Sequence, residues 1–366
     1  MTAPTPLRVL YAGTPETAVP VLRALLDSPH EVVGVLTRPD APVGRRRVLT
    51  PSPVAVVAEE AGLPVLKADR LRGPEGADAL QAIRALEADV AVVVAYGALV
   101  PAEALQIPRH GWLNLHFSAL PAYRGAAPVQ RAVMAGETEI AADVFQLEEG
   151  LDTGPVFARL TRPVAADETA GAVLTDLAER GGPLVIDVLD RLADGTATAT
   201  PQRGAPTHAP KLTAADGLVD PARPAAEVAA RINGVTPEPG AWGWLTADDG
   251  AAPARFKLDG VAPVRAGDDG WPSVLDAAAP GQILVAAKAA WLRTAGGAVR
   301  LSRVQPAGRK LMPAADWARG AAAGAALLAG EALAHHEEQA RQEAAARAAA
   351  REAARNAAAQ DEEARA

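Results

Sequence analysis

Short apolar runs alternate with amphipathic stretches through the first half of the chain. Residues 7–12 (LRVLYA), 31–36 (EVVGVL) and 89–95 (DVAVVVA) are rich in aliphatic and β-branched side chains, the pattern of strands covered on both faces. Residues 16–26, 54–61 and 78–86 between them carry apolar positions at helical spacing. Strand, helix and strand in this order predict right-handed crossovers and an α/β unit with a Rossmann-like parallel sheet. Residues 38–53 (RPDAPVGRRRVLTPSP) interrupt the alternation with a long connection that has no helical period, the kind of loop that is usually functional or mobile.

The pattern changes after residue 200. Residues 201–210 (PQRGAPTHAP) form a Pro-rich bridge. Beyond it lie a helical stretch at 225–232 and five short strand-like runs at 241–245, 254–258, 282–286, 290–294 and 298–304. Five strands so closely spaced predict a small β-barrel of the OB type. From about Gly320 the composition turns to Ala, Glu, Arg and Gln, which predicts one polar helix exposed nearly all round, partly frayed, with His335 and His336 facing solvent. The expected organisation is therefore a catalytic domain over 1–200, a linker over 201–210, a barrel over 211–319 and a helical or disordered tail over 320–366.

Composition narrows the possibilities. At 366 residues the chain exceeds one average domain, and the absence of cysteine excludes disulfides and thiolate metal sites. The opening MTAPTP has neither the basic start of a secretory leader nor an Arg/Ser-rich transit signal, and no apolar run reaches the roughly 20 residues of a membrane span. The expectation is a cytoplasmic protein with no membrane partner. The net charge of −8 is uneven: residues 1–202 carry 17 Lys and Arg against 25 Asp and Glu, whereas 203–312 carry 13 against 10. A mildly basic second domain permits a polyanionic partner without demanding one. Gly13-Thr14-Pro15 after the first strand lacks G-x-G-x-x-G and reads as a tight turn rather than a dinucleotide loop.

The chemistry concentrates in residues 112–128, WLNLHFSALPAYRGAAP. A strand period of two puts Leu113 and Leu115 on one face and directs Asn114 and His116 into the same space on the other. The chain then turns through Pro121 and Gly125, so these polar groups lie toward the end of a strand, where open α/β sheets bind ligands. Asp152 sits in the turn-rich EGLDTGP, between strand-like runs, with Gly150 and Gly154 allowing close backbone approach. Singly, each residue has an ordinary structural role, such as a core histidine or a turn-forming aspartate. Jointly they supply an amide, an imidazole and a carboxylate without a Cys or a G-x-S-x-G serine; Ser118 has no nucleophile elbow around it. With only His116 and His110 nearby, no metal is expected.

NLHFSALPAYRGAAP resembles the signature N-x-H-x-S-x-L-P-x-[YW]-R-G of the folate-dependent formyltransferases, and GLDTGP at 150–155 is similar to that family's second motif. AGTP at 12–15, VLTRPDAPVGRRR at 35–47, TPSPV at 50–54, VVVAYG at 92–97, HAPKL at 208–212, PGAW at 239–242 and LSRVQPAGRKLM at 301–312 extend the resemblance across both domains, toward the branch that formylates methionyl-tRNA. Two features depart from the pattern. Asp143 stands where the family often has a hydroxyl residue beside the pocket, and the tail beyond about 320 has no counterpart.

The resemblance implies 10-formyltetrahydrofolate as formyl donor and the α-amino group of initiator methionyl-tRNA as acceptor. It implies direct amine attack, an oxyanion stabilised by Asn114 and His116, and Asp152 fixing the imidazole or relaying the amine's proton through water. Ser118, Ala119, Leu120 and Pro121 match the folate-contact loop, and Val94, Ala95, Tyr96 and Gly97 would offer backbone groups to the pterin. Arg45, Lys211, Arg300, Arg303, Arg309 and Lys310 are the candidates for tRNA phosphates. A monomer is expected. The competing readings are another formyl chemistry on the same fold (on glycinamide ribonucleotide, on an amino sugar, or hydrolysis of formylfolate) and a non-catalytic RNA-binding protein.

Overall fold

The first strand shows how the N-terminal half is built. In β1 (Arg8–Gly13), Val9 and Tyr11 enter one hydrophobic core while Leu10 and Ala12 enter a second on the opposite face, and all four are fully buried. A strand buried on both sides needs helices on both sides. The computed structural model, which describes residues 5–44, 46–248, 250–321 and 324–365, supplies them. After β1 come α1 (Val19–Leu26), β2 (Glu31–Thr37), β3 (Ala41–Val43), β4 (Val48–Thr50), α2 (Pro53–Glu60) and β5 (Val65–Lys67). Then follow α3 (Pro74–Ala85), β6 (Val90–Val94), α4 (Ala102–Leu105), β7 (Trp112–His116) and α5 (Pro128–Met134). The series closes with β8 (Glu139–Gln146), β9 (Val156–Pro163) and α6 (Ala170–Ala193).

The strand order is β5-β2-β1-β6-β7-β8-β9. Pairing is parallel from β5 through β7, and antiparallel for β7 with β8 and β8 with β9. The sheet is thus mixed rather than purely parallel: the turn between β8 and β9 is too short for a helical crossover, so β9 must run back beside β8. Val21, Leu22, Leu25, Val54, Val57, Leu177, Val185 and Val188 cover one face of the sheet, and Leu80, Ile83 and Ala104 the other. α6 passes close beneath β7, where a methyl group on Gly181 would overlap Leu115. Leu113 and Leu115 are thereby sealed, each contributing about 1.5–3 kcal/mol of burial that pins the strand carrying Asn114 and His116.

The region at 38–53, read as a connection without periodic structure, contains an antiparallel hairpin of β3 and β4 in the register Ala41↔Thr50 to Val43↔Val48. Its side chains are exposed, so no amphipathic alternation marks it in the sequence. Arg45 lies outside the described residues.

The chain divides into two compact units at Thr213/Ala214. The second contains α7 (Ala225–Gly234), β10 (Ala241–Thr246), β11 (Ala254–Arg265), β12 (Ile283–Ala286), β13 (Ala289–Thr294), β14 (Gly297–Pro306), β15 (Met312–Pro313), α8 (Ala314–Arg319), β16 (Ala326–Leu327) and α9 (Gly330–Arg365). Its antiparallel sheet runs β12-β13-β14-β11-β10-β16, with β15 on β14. An isolated bridge between Gln282 and Ala326 brings the two ends together, and the sheet curls into a barrel. Asn233 of α7 fastens the helix to β11, donating to the Val261 carbonyl at 2.9 Å and accepting its N–H at 3.0 Å.

The polar tail is helical, and its helix starts at Gly330 rather than near Gly320, because residues 326–327 are taken up as the last strand. His336 departs from the expectation of a solvent-facing side chain. Its ring lies edge-on to Trp244 at 4.6 Å, and Glu337 accepts the Trp244 indole N–H at 2.6 Å; His335 is exposed. Among the described residues, no helix is long and apolar enough to cross a membrane.

Candidate active site

β7 carries the first two candidates in a fixed register. Asn114 pairs with Val93 of β6 on one side and Phe145 of β8 on the other, and His116 pairs with Asp143 of β8. The carboxyl end of β7 therefore opens beside β6, next to the β1–β6 junction where the strand order reverses. Asn114 is half-buried, and among the described residues no protein group engages its amide. His116 is buried, with Phe145 standing edge-on to its ring at 6.3 Å.

The imidazole is oriented by the loop that follows it. His116 Nε2 lies 3.0 Å from the Tyr123 carbonyl, which can only accept, so Nε2 carries the hydrogen. Nδ1 consequently faces the Asp152 carboxylate, at 3.9 Å from Oδ2. This is ion-pair range and too long for a direct hydrogen bond. The same Oδ2 accepts the Gly125 N–H at 2.8 Å. The loop residues that make these contacts adopt uncommon conformations, Tyr123 at φ 57° and Asp152 at φ 50°, in the left-handed region. Gly154 is required by space: a Cβ there would overlap the Gln146 carbonyl.

The expected linker takes part in holding this loop. Gln202 Nε2 donates to the carbonyls of Asp152 and Gly154, both at 2.8 Å, and its Oε1 accepts from Arg124 Nη2 at 2.6 Å. Thr207 accepts the Tyr123 N–H on its hydroxyl at 2.8 Å and the Arg124 N–H on its carbonyl at 2.9 Å. The Ala209 N–H donates to the Arg124 carbonyl at 2.7 Å, and Gly125 must be glycine to pass the Ala209 carbonyl. Gln202 and Thr207 were missed from the sequence because their role is set by long-range bonding in a segment with no period to read.

Ser118 is buried, and its hydroxyl donates to the Ala122 carbonyl at 2.6 Å, which fixes the loop rather than presenting a nucleophile. Leu120 and Pro121 are buried and Ala119 is half-buried. In the 94–97 segment, Val94 ends β6, and Tyr96 turns its ring inward to donate to the Ala68 carbonyl at 2.8 Å. The Tyr96 carbonyl accepts from the Thr14 hydroxyl at 2.8 Å and the Gly97 carbonyl from Arg38 at 2.7 Å. Two carbonyls of that segment are thus already occupied; Ala95 is exposed, with φ 48°. Burial pushes the Tyr96 phenol up to about 12.

Among the basic candidates, Arg300, Arg303, Arg309 and Lys310 are exposed, and Arg303 lies 3.6 Å from Asp259. Lys211 is exposed and belongs to the first unit.

A family model described as formyl transferase matches residues 7–189, and one described as formyl transferase, C-terminal domain, matches residues 211–322. The chain is 51% identical over 321 residues to the methionyl-tRNA formyltransferase of Leifsonia xyli subsp. xyli, covering 88% of this chain and all of that one. It is 52% identical over 316 residues to the methionyl-tRNA formyltransferase of Paenarthrobacter aurescens, covering 86% and 97%. HypX from Aquifex aeolicus, solved in complex with tetrahydrofolic acid, shares the fold at a TM-score of 0.57 and 18% identity over 85% of this chain and 47% of its own. WlaRD, a sugar 3N-formyl transferase, shares it at a TM-score of 0.57 and 12% identity, over 84% of this chain and the whole of its own. With both halves matched in order and about half of the aligned residues identical over nearly the full length of the two methionyl-tRNA formyltransferases, the chain belongs to the formyl transferase family.

Proposed function

We propose that this chain moves the formyl group of 10-formyltetrahydrofolate onto the α-amino group of initiator methionyl-tRNA, as a cytoplasmic monomer. The observation that carries the reading is the opposition of His116 Nδ1 and the Asp152 carboxylate beside the unengaged Asn114 amide. The attacking amine must lose a proton while the formyl oxygen gains negative charge. The Asn114 amide N–H is a donor for that oxygen. His116, with Nε2–H tied to Tyr123, has Nδ1 available to take the amine's proton and return it to the departing folate nitrogen. Asp152 sits where it balances the imidazolium formed in between. Tetrahydrofolate-type ligands suit the position beside β6 and β7, at the carboxyl ends of parallel strands.

The exposed basic side chains of the barrel unit suit an RNA acceptor, and the relatives named above carry methionyl-tRNA in their names. The test is to supply 10-formyltetrahydrofolate and charged initiator tRNA. N-formylmethionyl-tRNA is the expected product; transfer to a small ribonucleotide or an amino sugar, or release of formate alone, would overturn the reading.

A further inference from the structure

Asp143, the departure from the family pattern in β8, is fully buried, and its carboxylate is entirely engaged. Oδ1 accepts from Arg159 Nε at 2.6 Å, and Oδ2 accepts from Arg159 Nη2 at 2.6 Å and from the Leu120 N–H at 2.9 Å. Arg159 Nη2 also donates to the Leu120 carbonyl at 2.8 Å. Both backbone polar groups of Leu120 are therefore held by one side-chain pair, at the centre of the loop that runs from Ser118 to Ala122. The pair sits on β8 and β9, and Asp143 is the strand partner of His116, so the clamp fixes the loop to the strands that flank β7 and its imidazole.

We infer that Asp143 and Arg159 are positioning residues that hold the 118–122 loop in the shape that binds the formylfolate. The inference rests on the transfer reading above. A bidentate guanidinium–carboxylate pair fixes two atoms in a plane, which a single hydroxyl cannot do, and its rigidity is passed to Leu120 through the two backbone bonds. The arginine is the less enclosed partner: its side chain is 40% exposed and borders a cavity of about 420 Å³ with Phe157 and Arg203, whereas the carboxylate is sealed. The two halves of the clamp therefore respond differently to loss. Asp143→Asn leaves an arginine that water can solvate and an amide oxygen that still accepts the Leu120 N–H. Arg159→Met leaves an enclosed carboxylate without its counter-ion, which is the more damaging change for folding.

The experiment measures KM for 10-formyltetrahydrofolate and for methionyl-tRNA, kcat, and direct binding of tetrahydrofolate by titration calorimetry. It compares the wild-type chain, D143N, R159M, R159K and the neutral double variant D143N/R159M. The expected result for D143N and the double variant is a folate KM and Kd raised about tenfold, with kcat within about threefold and the tRNA KM unchanged; a tenfold change corresponds to 1.4 kcal/mol of binding. Lysine cannot reproduce the bidentate geometry, so R159K should recover folate affinity only in part. The double variant should regain the folding stability lost in R159M without regaining folate affinity, which separates positioning from stability. Wild-type folate affinity in D143N and in the double variant would overturn the inference, as would equal increases in KM for both substrates. Failure of the wild-type chain to bind tetrahydrofolate or to formylate methionyl-tRNA would instead overturn the transfer reading.

Discussion

His116 Nδ1 and Asp152 Oδ2 face each other at 3.9 Å without touching, because each group is already held by the backbone of one loop. Tyr123 takes the far nitrogen of the ring, and Gly125 donates to the carboxylate. The loop residues Tyr123 and Gly125 thus set the distance between the imidazole and the carboxylate. At that separation the carboxylate acts on the ring through its charge and not through a direct hydrogen bond.

That relationship makes Asp152→Asn a clean substitution. Asparagine tolerates the left-handed backbone at this position and still offers an oxygen to Gly125, so the loop keeps its shape while the charge is lost. We expect kcat to fall by about 10²–10⁴, because proton transfer through His116 loses the charge that balances its imidazolium, with little change in Tm. Asn114→Ala should lower turnover by about 10²–10³, the usual loss for one oxyanion donor, and His116→Ala by about 10²–10⁴, the range for a positioned general acid–base. Single-turnover formylation rates check all three; a decrease below about threefold in any of them removes that residue from the proposed mechanism.

The fold and the site were legible to different depths. Strands buried on both faces, such as β1 and β6, declare themselves as apolar runs, and the alternation in β7 by itself puts Asn114 and His116 on one face. The β3–β4 hairpin left no such trace, because a ribbon exposed on both faces has no reason to alternate. Gln202 and Thr207 were unreadable for another reason. Their contacts with Asp152 and Arg124 span tens of residues and depend on a Pro-rich segment folding back against the loop. Asp143 was visible only as an oddity; its partner on β9 became evident through the antiparallel register of β8 and β9.

A second prediction concerns pH and stability. His30 is buried, its Nδ1 accepting the Leu7 N–H at 3.2 Å, while its Nε2 lies 3.4 Å from Asp190 without hydrogen-bonding geometry. Burial lowers its proton affinity below the ordinary 6.5, and the Asp190 charge offsets this only in part. Between the lowered folded value and 6.5, the unfolded chain binds a proton that the folded chain excludes. Stability contributed by neutral His30 is therefore present above about 6.5 and is lost as pH falls toward and through the folded value. Denaturant unfolding of His30→Gln should show a shallower loss of stability between about pH 7 and pH 5 than the wild-type chain. Identical slopes would sink the assignment.

Binding of tRNA should weaken with salt. The barrel unit carries Arg300, Arg303, Arg309 and Lys310 in exposed positions, and phosphate contacts release counterions on binding. Arg303 already lies near Asp259, so Arg300→Ala should cost more affinity than Arg303→Ala. Each contact removed should also lower the slope of log K against log salt by about one unit. Filter binding at a series of salt concentrations reads both effects, and a flat salt response in the wild-type chain would contradict a phosphate-binding surface.

The long C-terminal helix should divide into a structural first part and a dispensable remainder. Leu333 is buried, His336 packs on Trp244, Glu337 accepts its indole N–H, and the Gly330 N–H donates to Asp220 at 2.9 Å. Beyond Arg341 the helix is held by alanine propensity and by pairs within itself, such as Arg347 with Glu343 at 2.7 Å. Ending the full chain after Arg341 should leave stability within about 0.5 kcal/mol, as for surface changes in general, while far-ultraviolet circular dichroism loses helical signal. Ending it after Ala329 removes one buried leucine and two partly buried hydrogen bonds, which together contribute about 2.5–6 kcal/mol. Urea unfolding followed by tryptophan fluorescence distinguishes the two, because Trp244 becomes solvated only in the shorter form. Equal stabilities for both truncations would show that the first turns of α9 contribute nothing to the barrel unit.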